Sequence, residues 1–277
     1  MSESAGRSLA TGVKTIVFCG GRPLRLPDAE RPIPKPMVTI GYRPVLWHVM
    51  RTYAHWGMQD FVLCLGYGGD QVKSYFLTYE ETLSNDFVIS GPDREVEVLG
   101  SDIHDWRVTF VDTGIASSLA QRLIAVRRFV ASDEIFCANY GDVLTDAPLA
   151  DLVADFRARP DKVAALLSVR PRFPTQIVER APDGTITSLL EVTASGVRVN
   201  GGFYIFRSSI FDHLQAGEDL IRDTFPRLLR DSLMHAYEHD GFWSAVDTLR
   251  DIETLVGLQE ASEAPWALWE RDPLPQG

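Results

Sequence analysis

No apolar run in these 277 residues approaches the roughly 18–20 needed to cross a bilayer as a helix. The N-terminal stretch, Met1 to Thr11, is polar and lacks the apolar centre of a signal peptide. The expected location is therefore the cytoplasm, with no membrane partner. Cysteine is scarce: Cys19, Cys64 and Cys137 each lie inside an apolar run. An odd number in strand-like segments argues against a disulfide framework and predicts buried thiols. Cationic runs are missing too. With 27 Lys and Arg against 38 Asp and Glu, the formal charge is −11. Such a chain repels nucleic acid, so an anionic ligand would have to be held by a few placed cations, backbone N–H groups and a metal. Internal repeats and low-complexity linkers are also absent.

What remains has the composition of a packed protein, and its punctuation predicts the elements. Residues 1–12 read as a disordered tail, and 13–277 as a single domain with halves at about 13–150 and 151–277. Residues 14–19 form a β-branched and aromatic run that stops at Gly20-Gly21, which predicts a buried strand and a turn. Residues 22–37 hold Pro23, Pro27, Pro32, Pro34 and Pro36, too many for a helix. Val45, Leu46, Val49, Met50, Tyr53 and Trp56 recur at helical spacing and Gly57 ends the pattern. Strands at 60–65, 107–111, 134–139 and 162–169 then alternate with helices at 71–79, 118–129 and 149–157. That alternation predicts an α/β fold, a mostly parallel sheet flanked by helices. Beyond Arg170, short strands and turns predict a smaller antiparallel β lobe in the C-terminal half, with a helix returning at 220–233.

In an open parallel sheet, ligands bind beyond the carboxyl ends of the strands. Three features fall there. Gly20-Gly21 lets backbone N–H groups approach a phosphate. Arg25 can fork onto phosphate oxygens, while Lys35, between Pro34 and Pro36, supplies a point charge. Gly141-Asp142 follows the strand at 134–139, where a carboxylate beside a glycine suits a Mg²⁺ ligand that meets phosphate closely. Asp247 follows the aromatic stretch Gly241-Phe242-Trp243, and equally suits capping the helix beyond it. Singly, each has an ordinary structural explanation. Their conjunction points to phosphate chemistry. His235 and His239, four apart in a strand-and-turn segment, are not expected to form a metal site.

The run Gly20-Gly21-Arg22-Pro23-Leu24-Arg25-Leu26 resembles the Gly-Gly-x-Gly-Thr-Arg-Leu signature of sugar-1-phosphate nucleotidyltransferases. Lys35-Pro36-Met37, Val111-Asp112-Thr113-Gly114, Tyr140-Gly141-Asp142, Asn200-Gly201-Gly202-Phe203, Gly241-Phe242-Trp243 and Asp247-Thr248-Leu249-Arg250-Asp251 are similar to the glucose-1-phosphate cytidylyltransferase branch. The likeness spans roughly residues 14–270. It implies a Rossmann-like fold and transfer of a nucleotidyl group from a nucleoside triphosphate to a sugar 1-phosphate with release of pyrophosphate. On that analogy Asp142 and Asp247 hold Mg²⁺, Arg25 steadies the leaving pyrophosphate and Lys35 bridges the phosphates. Gly20, Gly21, Gly141 and Gln121 would line the nucleotide, and Glu191, Asn200 and Gly201 the sugar. The family's homo-oligomers imply one here.

Several positions depart from the pattern. Pro23 and Leu24 replace a glycine and a threonine of the phosphate loop, removing one N–H donor. Leu119-Ala120-Gln121 resembles the base-reading loop of thymidylyltransferases, which keeps UTP or dTTP beside CTP. Glu191-Val192-Thr193 stands where the family has Glu-Lys-Pro, so a modified sugar or a cyclitol phosphate stands beside glucose 1-phosphate as the acceptor. A catalytically impaired relative that only binds nucleotide, as a regulatory subunit, is the competing class.

Overall fold

A computed structural model describes residues 10–21, 23–24, 32–172 and 175–271. Seven strands form its main sheet: β1 (Thr15–Phe18), β2 (Asp60–Leu65), β3 (Arg107–Asp112), β4 (Ile135–Tyr140), β5 (Ala164–Val169), β6 (Val199–Arg207) and β7 (Met234–His239). Their order is β7-β5-β6-β4-β1-β2-β3. β1 lies between β2 and β4, parallel to both, and β3 extends the parallel run. β6 runs antiparallel to β4 and β5, and β7 is parallel to β5 at the far edge.

Both faces of this sheet are covered, which is why its central strands read as unbroken apolar runs. Adjacent residues point to opposite faces. Val17 and Leu63 face one core with α1 (Val45–His55) and α4 (Leu149–Arg157), while Ile16, Val62 and Cys64 face the other with α3 (Leu119–Val130) and α5 (Phe225–Arg230). α2 (Gly69–Leu77) and α6 (Leu249–Glu260) pack at the periphery. The three cysteines are free and buried. His48, inside α1, accepts from Trp266 Nε1 at Nδ1 (3.2 Å) and donates from Nε2 to the Ile40 carbonyl (3.1 Å), and burial pushes its pKa down to about 4. It is a neutral packing residue.

Three features depart from or refine the sequence pattern. Ala10, assigned to the tail, is fully buried in the core. The smaller antiparallel element expected beyond Arg170 is the hairpin Gln176–Arg180 with Ile186–Glu191, a sheet of its own, whereas β6, also beyond Arg170, runs antiparallel through the middle of the main sheet. The helix expected over 220–233 is a π-helical turn, Leu220–Thr224, followed by α5, which ends at Arg230. Pro226 lacks the N–H that an α-helix would bond to the carbonyl four residues earlier. Among the described residues, no helix is long and apolar enough to cross a membrane.

A short ribbon completes the architecture. Val143–Thr145 pairs antiparallel with Trp243–Ala245, and the Val246 N–H donates to the Asp142 carbonyl at 2.9 Å. This pairing zips the residues beyond β4 to a segment a hundred positions later.

Candidate active site

Beyond the carboxyl ends of β1 and β4 opens a cavity of about 490 Å³, a size suited to a small-molecule ligand. Gly20, Gly21, Lys35 and Pro36 form one wall, and Ser117, Ser118, Leu119 and Arg122, at the start of α3, form another. Tyr140, Asp142, Asn200, Asp219, Trp243 and Asp247 complete the lining.

The ribbon brings Asp142 and Asp247 to one point, and Lys35 stands between them. Its Nζ lies 3.6 Å from Asp142 Oδ2 and donates a close hydrogen bond to Asp247 Oδ1. Lys35 is held there by the single 3₁₀ turn Lys35–Met37, with Pro36 buried inside it. Burial alone would push the Lys35 ammonium down, but the hydrogen bond to Asp247 and the charge of Asp142 outweigh it and hold its pKa above the ordinary value. Asp142 experiences the opposite balance. Burial pushes its pKa up to about 6, Asp247 adds to the rise, and Lys35 offsets only part of it. Two carboxylates facing one ammonium leave an uncompensated negative charge at the cavity floor. That donor set fits a divalent cation, whose charge would relieve both acids. No cluster of three or more His, Cys, Asp or Glu side chains able to hold a metal occurs among the described residues, so the remaining positions around such an ion would be open to phosphate oxygens and water.

Arg122 was not singled out from the sequence as a site residue. It is 3 % exposed, and its guanidinium donates to the Leu65 carbonyl (3.1 Å), Thr113 Oγ1 (2.6 Å) and the Gly20 carbonyl (2.8 Å). It therefore staples together the ends of β1, β2 and β3. A Cβ on Gly20 would sit 2.2 Å from its Nη1, so only glycine allows this close approach. The signal was present: Leu119, Arg122, Leu123 and Val126 share one helical face, and an arginine on an apolar stripe marks a buried, paired charge.

The other expected site residues divide. Gly141 lies between Tyr140 and Asp142, its N–H donating to the Phe18 carbonyl at 3.1 Å. Gly201 backs the cavity, its carbonyl accepting from Trp243 Nε1 at 2.7 Å. Asn200 is in the wall, but both ends of its amide are used within the protein: Oδ1 accepts from the Gly202 N–H (3.0 Å) and Nδ2 donates to Tyr204 Oη (2.8 Å). Gln121 does not line the cavity. Its Oε1 accepts from the Ser118 N–H (2.8 Å) while the Gln121 N–H donates to Ser118 Oγ (3.2 Å), a reciprocal cap on α3. Glu191 is exposed on its hairpin and accepts from Gln176 Nε2 at 2.7 Å, also away from the cavity walls. Arg25 lies outside the described residues. His235 and His239 each face a carboxylate, Asp155 and Asp146 respectively, rather than each other.

Comparison with known proteins gives a consistent result. Residues 14–257 match the sequence model of the nucleotidyl transferase family. The chain is 35 % identical over 262 residues to glucose-1-phosphate cytidylyltransferase of Salmonella typhi, covering 93 % of this chain and all of that one. It is 31 % identical over 261 residues to the probable glucose-1-phosphate cytidylyltransferase of Bacillus subtilis (strain 168), with the same coverage. Among solved structures, HddC from Yersinia pseudotuberculosis complexed with GMP-PN superposes with a TM-score of 0.61 at 16 % identity, covering 88 % of this chain and 98 % of that one. A putative glucose-1-phosphate thymidylyltransferase from Bacillus anthracis gives 0.62 at 18 % identity, covering 88 % and 94 %. The structural likenesses establish the fold, a Rossmann-like mixed sheet flanked by helices.

Proposed function

Because the chain belongs to the nucleotidyl transferase family and matches glucose-1-phosphate cytidylyltransferases over their whole length, we propose that its cavity joins CTP to a sugar 1-phosphate over Asp142, Asp247 and Lys35. The chain is a nucleotidyltransferase that forms an NDP-sugar. Members of the family generally use a divalent metal, and Mg²⁺ is the ion proposed here, with Asp142 and Asp247 as its protein ligands. When bound, that ion neutralises phosphate charge and orients the oxygens it meets.

The chemistry asks little else of the protein. A phosphate oxygen of the sugar 1-phosphate attacks the α-phosphorus. The bond from that phosphorus to the α–β bridging oxygen breaks, and pyrophosphate leaves with the electron pair. The nucleophile is already an anion, so no general base is required, and positioning plus charge neutralisation carry the reaction. Lys35, whose two carboxylates outweigh burial and hold its pKa above the ordinary value, offers a fixed positive charge where two anions must approach. At Gly21, where an added Cβ would meet nothing within 4 Å, the backbone borders open cavity and can be approached by phosphate. Arg25, eleven residues upstream of the segment around Pro36, is proposed to steady the pyrophosphate.

The observation that carries this reading is the meeting of Lys35, Asp142 and Asp247 on the floor of one cavity. The test is pyrophosphate release with Mg²⁺, each of CTP, UTP, dTTP and GTP, and a panel of hexose 1-phosphates and cyclitol phosphates. Turnover with CTP above the other nucleotides is expected. Turnover led by another base would move the base assignment, and none with any pair would leave only a nucleotide-binding relative.

A further inference from the structure

Beside Asp142 the cavity lining is backed by a directed chain of hydrogen bonds from an amide through two phenols. The Asn200 amide is oriented by the Gly202 N–H, which donates to its Oδ1 at 3.0 Å, so its Nδ2 points the other way. Nδ2 donates to Tyr204 Oη at 2.8 Å, and Tyr204 Oη donates in turn to Tyr140 Oη at 3.0 Å. A phenol has one proton and accepts through its lone pairs. Tyr140 Oη accepts from Tyr204, so its own proton is left for another acceptor. Tyr140 lines the cavity, and so does Asp219.

The supports of this pair are specific. The Tyr140 ring meets Tyr204 edge-on, with centroids 5.7 Å apart. It lies over Gly202, where φ is +77° and a Cβ would sit 2.3 Å from the ring. Asp219 is held from both sides. Its Oδ1 accepts from the Ile221 and Arg222 N–H groups at 2.9 and 3.0 Å, and the Glu218 carbonyl beside it accepts from Ser118 Oγ at 2.6 Å. A preset donor and a preset acceptor thus share one wall of a cavity whose floor is the proposed phosphate site.

We infer that Tyr140 and Asp219 form a donor–acceptor pair that recognises hydroxyl groups of the acceptor sugar, with Asn200 and Tyr204 acting as positioning residues that aim the Tyr140 proton. The inference deepens the nucleotidyltransferase reading and rests on it for the identity of the sugar phosphate. A hydroxyl that donates to Asp219 and accepts from Tyr140, or two neighbouring hydroxyls sharing these tasks, matches the pair. A site built to hydrogen-bond a hydroxyl discriminates strongly against the analogue that lacks it, because its own polar groups are then left without partners.

Calorimetric titration of glucose, galactose and mannose 1-phosphates, and of their monodeoxy analogues, into the chain saturated with a non-hydrolysable CTP analogue tests this. Wild type should bind at least one parent sugar and bind one or two of its monodeoxy analogues about tenfold more weakly. Tyr140→Phe, which keeps the ring and loses only the hydroxyl, should weaken the parent sugar by the same factor. It should show no further loss with the deoxy analogue that wild type rejects, and should leave CTP-analogue affinity within about twofold. Asp219→Asn should give the same pattern for a hydroxyl that donates. A shared loss on both sugar and analogue would mark a purely structural role and overturn the inference. So would a change confined to the CTP analogue, which would place the pair on the ribose. A wild type that binds no sugar phosphate contradicts the inference, whereas one that binds them selectively but releases no pyrophosphate contradicts the catalytic reading alone.

Discussion

Asp142 keeps a proton in the folded chain at a pH where an unfolded aspartate has already lost it, since its pKa is pushed from 3.8 up to about 6 by burial and by Asp247. Between those values the native state binds more protons than the unfolded one, so this group makes stability fall as pH rises through the window. Asp142→Asn removes that burden. At pH 8 the variant should gain about 1–3 kcal/mol in urea unfolding, and at pH 4 the gain should vanish. The same substitution should lower kcat by about 10²–10³-fold, because a neutral amide no longer supplies charge at the reacting phosphates. Divalent-ion affinity of the wild type should weaken as pH drops below about 6, because the metal-free carboxylate then holds a proton that the ion must displace. Lys35→Met should cost a similar factor in kcat, measured by pyrophosphate release at saturating substrates. At this scale the sequence was partly legible. Lys35, Asp142 and Asp247 stand out as charges placed just after apolar runs. Gln121 and Glu191 lie outside the cavity lining, and each satisfies a local partner: Gln121 caps its own helix and Glu191 holds its hairpin neighbour.

Elements set the distance between the two acids. The ribbon of Val143–Thr145 with Trp243–Ala245 is what carries Asp247 to Asp142, and its root is clamped by Asp146. Asp146 Oδ1 accepts from the Phe242 N–H at 2.6 Å and faces His239 Nε2 at 2.6 Å, while Thr145 Oγ1 donates to the Phe242 carbonyl at 2.8 Å. Asp146→Ala leaves the Phe242 N–H without this partner, which should cost about 1–3 kcal/mol in chemical denaturation. It should also raise the Mg²⁺ concentration for half-maximal activity, because Asp247 is then less firmly placed; a metal titration of turnover checks this. Ser118→Ala should cost about 1 kcal/mol, since that hydroxyl both caps α3 and ties it to the Glu218 carbonyl. The ribbon was not legible in the sequence. Its two strands are three residues each and pair across a hundred positions, so neither carries a periodic signal. α1 and α4 were legible for the opposite reason, being nine or more residues with one apolar face.

Across the whole molecule, the alternation of strands and helices through residue 169 predicts the parallel half of the sheet and the side on which a ligand binds. The reversal at β6 escapes that logic. A strand buried on both faces reads as a continuous apolar run whichever way it points, and Phe203 to Phe206 are all buried. Turning β6 against β4 places Asn200, Gly202 and Tyr204 beside Tyr140, so the antiparallel strand builds the far wall of the cavity while the parallel strands build its floor. The account depends above all on Asp142 and Asp247 sharing one cation. Its most direct test is Mn²⁺ binding, followed by electron paramagnetic resonance in the presence of a non-hydrolysable CTP analogue, for wild type, Asp142→Asn and Asp247→Asn. The account predicts one tight Mn²⁺ per chain in wild type and at least tenfold weaker binding in each variant. Wild-type affinity retained in either variant would contradict it.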